Sequence, residues 1–93
     1  MANNLFISYD LYKPSQNYDT VIEEIKKLGD WAKVHLSLWY ANSSLSAAEA
    51  SKRVWAVMDA NDKLIVIDAT NNNASWYNLD DEVSKYLQDH WHK

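Results

Sequence analysis

The chain has 93 residues, a formal net charge of −4 and a hydrophobic fraction of 47%. That length holds one domain with one core, and that apolar fraction excludes a disordered chain. Cysteine is absent, which excludes a disulfide framework and a thiolate metal site.

The lack of cysteine fits a reducing, cytoplasmic setting. Met1-Ala2-Asn3-Asn4 offers neither a basic segment nor a long apolar run, so no signal peptide is expected. No stretch approaches a membrane span, and no membrane partner is expected. Lys and Arg are scattered through the chain, which argues against simple binding to a phosphate backbone. Five Trp and six Tyr are many for this length. Aromatic side chains dominate cores and interfaces, so some of them are expected at a subunit contact.

In chain order, Leu5 to Leu11 is rich in β-formers and reads as a strand. Lys13-Pro14-Ser15-Gln16-Asn17 breaks it. Tyr18, Val21, Ile22, Ile25 and Leu28 repeat at helical spacing, with Glu23, Glu24, Lys26 and Lys27 facing out. Gly29, the only glycine, sits where a helix end favours a left-handed residue. Lys33 to Tyr40 alternates as a second strand, and Ala41 to Leu45 adds a short return strand or a loop. Ser46-Ala47-Ala48-Glu49 has the spacing of a capping box and opens a helix running to about Met58. Lys63 to Ala69 is apolar on both faces and reads as a buried strand. Asn71-Asn72-Asn73 is a polar break. A last helix is expected from Leu79 to His90, with Leu79, Val83, Tyr86, Leu87 and Trp91 along one stripe.

This order predicts an α+β domain of ferredoxin-like βαββαβ type spanning residues 1–93. Its helices lie on one face of the sheet, the second hairpin is complete or reduced to one bent strand, and an extra helix follows at the C-terminus.

Alternation then assigns faces. Leu5, Ile7, Tyr9 and Leu11 belong under the helices with Val34, Leu36 and Leu38. Ser8, Asp10, His35 and Ser37 go to the open face, framed by Phe6 and Trp39. If Ile65 and Ile67 point to the helices, Leu64, Val66 and Asp68 join that open face. So much apolar area calls for a cover, most simply a second copy related by two-fold symmetry.

Three runs carry a resemblance: Tyr9-Asp10-Leu11 after a short apolar run; Val34-His35-Leu36-Ser37-Leu38-Trp39 followed by Leu45-Ser46-Ala47-Ala48-Glu49; and Asp62-Lys63-Leu64-Ile65-Val66-Ile67. Together, over roughly Leu5 to Ala69, the chain resembles the CRISPR-associated Cas-two family. Relatives of that family include the virulence-associated protein D ribonucleases and small SinR-like proteins. The resemblance implies a ferredoxin-like protomer, a homodimer and a functional aspartate at Asp10. It also maps a strand-two serine of the family onto Ser37. In some members two such aspartates, one per subunit, hold a divalent metal for phosphodiester cleavage; in others the protein is a structural partner in spacer integration. Tyr40 stands where the family often has Glu, basic residues are sparse around strand two, and the tail from Asn71 reads as helical where the family often adds a strand. The last two departures weigh against DNA binding and against a CRISPR integration partner.

The candidate site is therefore Asp10 as metal ligand and catalytic carboxylate, with Mg²⁺ as cofactor, RNA as substrate, and His35 and Ser37 in support. The plain alternatives are an Asp10 that caps the following loop, a surface His35, and a Ser37 that merely orients its neighbours. Asp68 is a strand-end carboxylate that either joins Asp10 or stands alone. His90 and His92 are two apart and do not share a helix face. Trp39 and Trp76 are core or interface residues, with base stacking as the alternative. At the level of the whole protein, a metal-dependent endoribonuclease and a non-catalytic dimeric interaction module remain side by side.

Overall fold

A computed structural model describes residues 2–12 and 18–91. The Lys13–Asn17 loop, the Tyr18 side chain and His92 lie outside the described residues. The elements are β1 (Asn3–Asp10), α1 (Tyr18–Lys26), β2 (Asp30–His35), β3 (Leu38–Ser43), α2 (Ala47–Trp55), β4 (Lys63–Asp68), β5 (Asn73–Tyr77) and α3 (Asp81–His90). The architecture is α+β: a five-stranded sheet in the order β2-β3-β1-β4-β5 with every neighbouring pair antiparallel. Among the described residues no helix is long and apolar enough to cross a membrane.

The core follows the alternation of β1. Leu5, Ile7 and Tyr9 are buried, as are Val21, Ile25 and Leu28 from α1 and its exit. From α2 come Ala47, Ala50 and Val54. That helix opens on the capping box expected of it. The Ser46 hydroxyl accepts from the Glu49 amide at 3.1 Å, and the Glu49 carboxylate accepts from the Ser46 amide at 3.0 Å. Two early amides that have no partner within the helix are thereby satisfied.

The second hairpin, open in the sequence between a complete form and one bent strand, is complete, and the run Lys33–Tyr40 that reads as one strand turns back at Leu36-Ser37. Because the turn lies inside the run read as one strand, the alternation changes phase across it. Trp39 is 3% exposed and lies in the core, not on the open face, while Val34 and Leu36 are exposed, not under the helices. In β4 the buried set is Leu64, Val66 and Asp68, so Ile65 and Ile67 face the open side.

The tail from Asn71, which reads from the sequence as helical, is corrected too: five of its residues first pair with β4 as a strand. Asn72 and Asn78 flank the strand with φ of 55° and 60°, a left-handed conformation that Asn adopts more readily than most residues.

The extra C-terminal helix, α3, does not share the sheet face of α1 and α2. Tyr77 stacks on Trp55 of α2 with ring centroids 4.9 Å apart, and Ser75 hydrogen-bonds Ser51 of α2 at 2.8 Å. Trp76, between them, points to the opposite side, where its indole donates to the Ser84 hydroxyl of α3 at 2.9 Å. Helix α3 therefore stands on the otherwise open face, over β5. None of its residues is fully buried. Gly29, finally, has φ of 159°, which is nearly extended; its role is close approach, since a Cβ there would collide with the Asn42 carbonyl of β3.

Candidate functional site

The open face is built from cross-strand rows. One row runs His35–Leu38–Ser8–Ile65–Trp76 across all five strands. The next runs through Ala32, Tyr40, Phe6, Ile67 and Ala74. Phe6 and Tyr40 meet at 5.4 Å between centroids. Leu38, Tyr40, Phe6, Ile65 and Ile67 are all only half-buried. An apolar ladder of this kind on one side of a sheet is normally covered.

Asp10 lies at the end of β1 on this face. It is exposed, and it stands opposite Lys63 in the register. Among the described residues no side chain hydrogen-bonds or pairs with its carboxylate. The Lys63 ammonium turns instead to Asp80, at 3.2 Å. Ser8, Asp10, Lys63, Ile65 and Leu79 border a shallow hollow of about 130 Å³.

Of the expected partners, Ser8 alone shares this hollow. His35 is in the same row as Ser8, but Leu38 stands between them. Two strand spacings separate their Cα positions by about 10 Å, beyond the 2.6–3.2 Å at which an acid or base acts directly. Ser37 sits in the β2–β3 turn, and its carbonyl accepts the Tyr9 amide at 3.2 Å. Its hydroxyl is not part of a strand face. The protomer thus brings Asp10 and Ser8 together and leaves His35 and Ser37 at the neighbouring hairpin.

Asp68 does not join Asp10. It pairs with Leu5, at the other end of β1, and points to the helix side. Its carboxylate accepts from the Thr70 and Asn71 amides at 3.0 and 3.1 Å and from the Asn71 side chain at 2.7 Å. These bonds shape the turn into β5. Asp62 has a similar role that the sequence did not reveal. Buried at 3% exposure, it accepts from the Tyr12 and Asp59 amides, each at 2.7 Å, and ties the exit of β1 to the start of β4.

The base-stacking alternative does not hold for Trp39. Its ring is enclosed, with the indole donating to the Tyr9 hydroxyl at 3.2 Å and Trp31 packed 5.4 Å away. Trp31 is the exposed member of that pair, at 46%. Its ring already carries the Lys26 ammonium at 4.7 Å, a cation–π contact joining α1 to β2. Trp76 is half-buried beneath α3.

For a divalent metal, the donor set of one protomer is thin. Among the described residues no three His, Asp or Glu side chains gather to hold an ion. Mg²⁺ needs only one or two carboxylates when waters complete its shell. One Asp10 supplies one carboxylate, and Ser8 is the only other polar side chain on its own strand beside it. The donors fit Mg²⁺ only if a second copy brings its own Asp10.

Comparisons with protein-family models, with curated proteins and with solved structures find no match to this chain.

Proposed function

We propose that the protein is a small Cas-two-like interaction module of ferredoxin-like fold that works as a homodimer closed over the open sheet face. The strand order β2-β3-β1-β4, with β5 added outside β4, supports the ferredoxin-like reading as an extended form of the four-stranded pattern. The observation that carries the dimer is the ladder of Phe6, Leu38, Tyr40, Ile65 and Ile67, half-buried on a face that, among the described residues, has no helix over β3 or β1. Ile65→Asp places a charge in the middle of that ladder. Sedimentation velocity is expected to show a dimer for the wild type and a monomer for this variant. A wild type that stays monomeric at ~100 μM sinks the proposal.

A second reading, metal-dependent cleavage of RNA, is favoured by one observation: Asp10 is an exposed carboxylate on the rim of that same face. In a dimer closed over this face, two Asp10 carboxylates supply the pair that one Mg²⁺ takes. Bound there, the metal would supply charge neutralisation at a phosphodiester. RNA is incubated with Mg²⁺ and purified protein beside Asp10→Ala. Cleavage lost in the variant supports the enzyme; equal background cleavage by both leaves the non-catalytic module.

A further inference from the structure

The open face is not wide enough to make the dimer by itself. Three strand spacings from β2 to β4 and six residues of length give a footprint of about 300 Å². A stable interface removes about 800 Å² from each partner. The missing area must come from surface that stands beside the face, and α3 stands there. Stacked sheets lie about 10 Å apart, and a helix with its side chains is about 10–12 Å across. Helix α3 over β5 therefore fills the same layer that the partner's sheet would occupy.

That leaves one face-to-face arrangement in which α3 does not block closure. A two-fold axis parallel to the strands, over β3 and β1, reverses left and right but keeps each end of the sheet at its own end. The β5 edge of one copy then meets the β2 edge of the other, and α3 lies alongside the partner's β2–β3 hairpin. Two features of the molecule fit this placement. The turn at Leu36-Ser37 and the start of α3 are at the same end of the sheet. The turn adjoins Leu38, which pairs with Ser8, and α3 begins beside Lys63, which pairs with Asp10 and bonds Asp80.

Both surfaces are also apolar and uncovered. Leu79 reaches over the open face, in the hollow beside Ser8 and Ile65. Val83 and Tyr86 follow it by four and seven residues along α3 and are 48% and 65% exposed. They line a hollow of about 410 Å³ with Glu82 and Leu87. On the hairpin, Val34 and Leu36 are 51% and 80% exposed, and all six residues of β2 are exposed along the sheet edge.

We infer that α3 is a side wall of the dimer: Val83 and Tyr86 of each copy pack against Val34 and Leu36 of the other and cover its β2 edge. Covering an exposed edge with a helix is a common protection against further strand pairing. This inference rests on the homodimer reading above and specifies its symmetry. The same axis carries the two Asp10 residues to the same end of the interface.

The absence of cysteine makes the test clean. Leu36→Cys combined with Val83→Cys is oxidised mildly and run on a non-reducing gel. Within one protomer the two sites lie toward opposite edges of the sheet. β2 and β5 are about 19 Å apart, and a disulfide needs Cα atoms within about 7 Å. The expected result is a covalent dimer from the double variant and almost none from either single variant. Val83→Asp, whose fold is checked by far-UV circular dichroism, is expected to raise the dimer dissociation constant about tenfold or more. A wild-type dimer with no crosslink and an unchanged dissociation constant in Val83→Asp overturns this inference and leaves the homodimer standing. A monomeric wild type overturns both.

Discussion

Trp39→Ala separates the two possible phases of β3. The indole is 3% exposed, so truncation removes about 200 Å² of buried area. At about 25 cal/mol per Å² this amounts to about 5 kcal/mol, and large-to-small changes of this type in cores cost about 3–5 kcal/mol. The Tyr9 hydroxyl also loses the donor that reaches it at 3.2 Å, although it keeps its contact with the Leu36 carbonyl at 3.3 Å. A chain of 93 residues has a total stability of about 5–14 kcal/mol, so Trp39→Ala stands close to unfolding. Trp39→Phe keeps most of the apolar area and loses the indole N–H; its cost is expected at about 1–2 kcal/mol. Urea titrations followed by far-UV circular dichroism, at several protein concentrations, measure both. In urea a domain of this size changes by about 1 kcal/mol per molar, which puts the midpoint of Trp39→Phe about 1–2 M below wild type. The loss must be the same at every concentration, because the indole is packed within its own protomer. If Trp39→Ala costs less than about 1 kcal/mol in dilute protein and weakens self-association instead, Trp39 belongs to the open face and the burial argument fails.

Two further outcomes follow from local geometry. Gly29→Ala is expected to destabilise by about 1–3 kcal/mol in the same titration, because the new methyl meets the Asn42 backbone, which cannot swing aside as a side chain can; an unchanged midpoint refutes the close approach. The carboxyl of Glu49 is held below its ordinary value, first by the hydrogen bond from the Ser46 backbone and then by the Ser46 hydroxyl. A lowered folded-state value stabilises above the unfolded value and is lost as pH falls through the folded one. Ser46→Ala, which removes the hydroxyl and loosens the box, is expected to narrow the gap between midpoints at pH 7 and pH 3, and an unchanged gap means that the box does not contribute.

The α1, α2 and β1 segments were legible because each carries its own period. Leu5, Ile7 and Tyr9 alternate over a single uninterrupted strand, and the Ser46–Glu49 box marks a helix start by chemistry local to four residues. The β2–β3 turn was not legible. Leu36-Ser37 contains no Gly, Asn, Asp or Pro, so nothing punctuates the run, and one hidden reversal placed Trp39 on the wrong side. The return through Asn72 did carry a signal, since Asn tolerates the left-handed conformation it adopts and Trp76-Tyr77 are β-formers; the polar run masked it. In β4, Leu64 and Ile65 are equally apolar, and only the pairing of β4 with β1 decides which of them meets the helices.

By itself the sequence determined an α+β arrangement, the buried stripes of β1, α1 and α2, and Asp10 as an acidic residue at the end of the first strand. Those depend on local periodicity and on hydrophobic burial, which neighbouring residues encode. The tertiary structure alone decided that Asp10 keeps Ser8 but not His35 or Ser37 beside it, that Asp68 and Asp62 are spent on backbone amides, and that α3 crosses to the far side of the sheet. Each of these depends on strand order and register, and a shift of one residue in register exchanges the two faces of a strand.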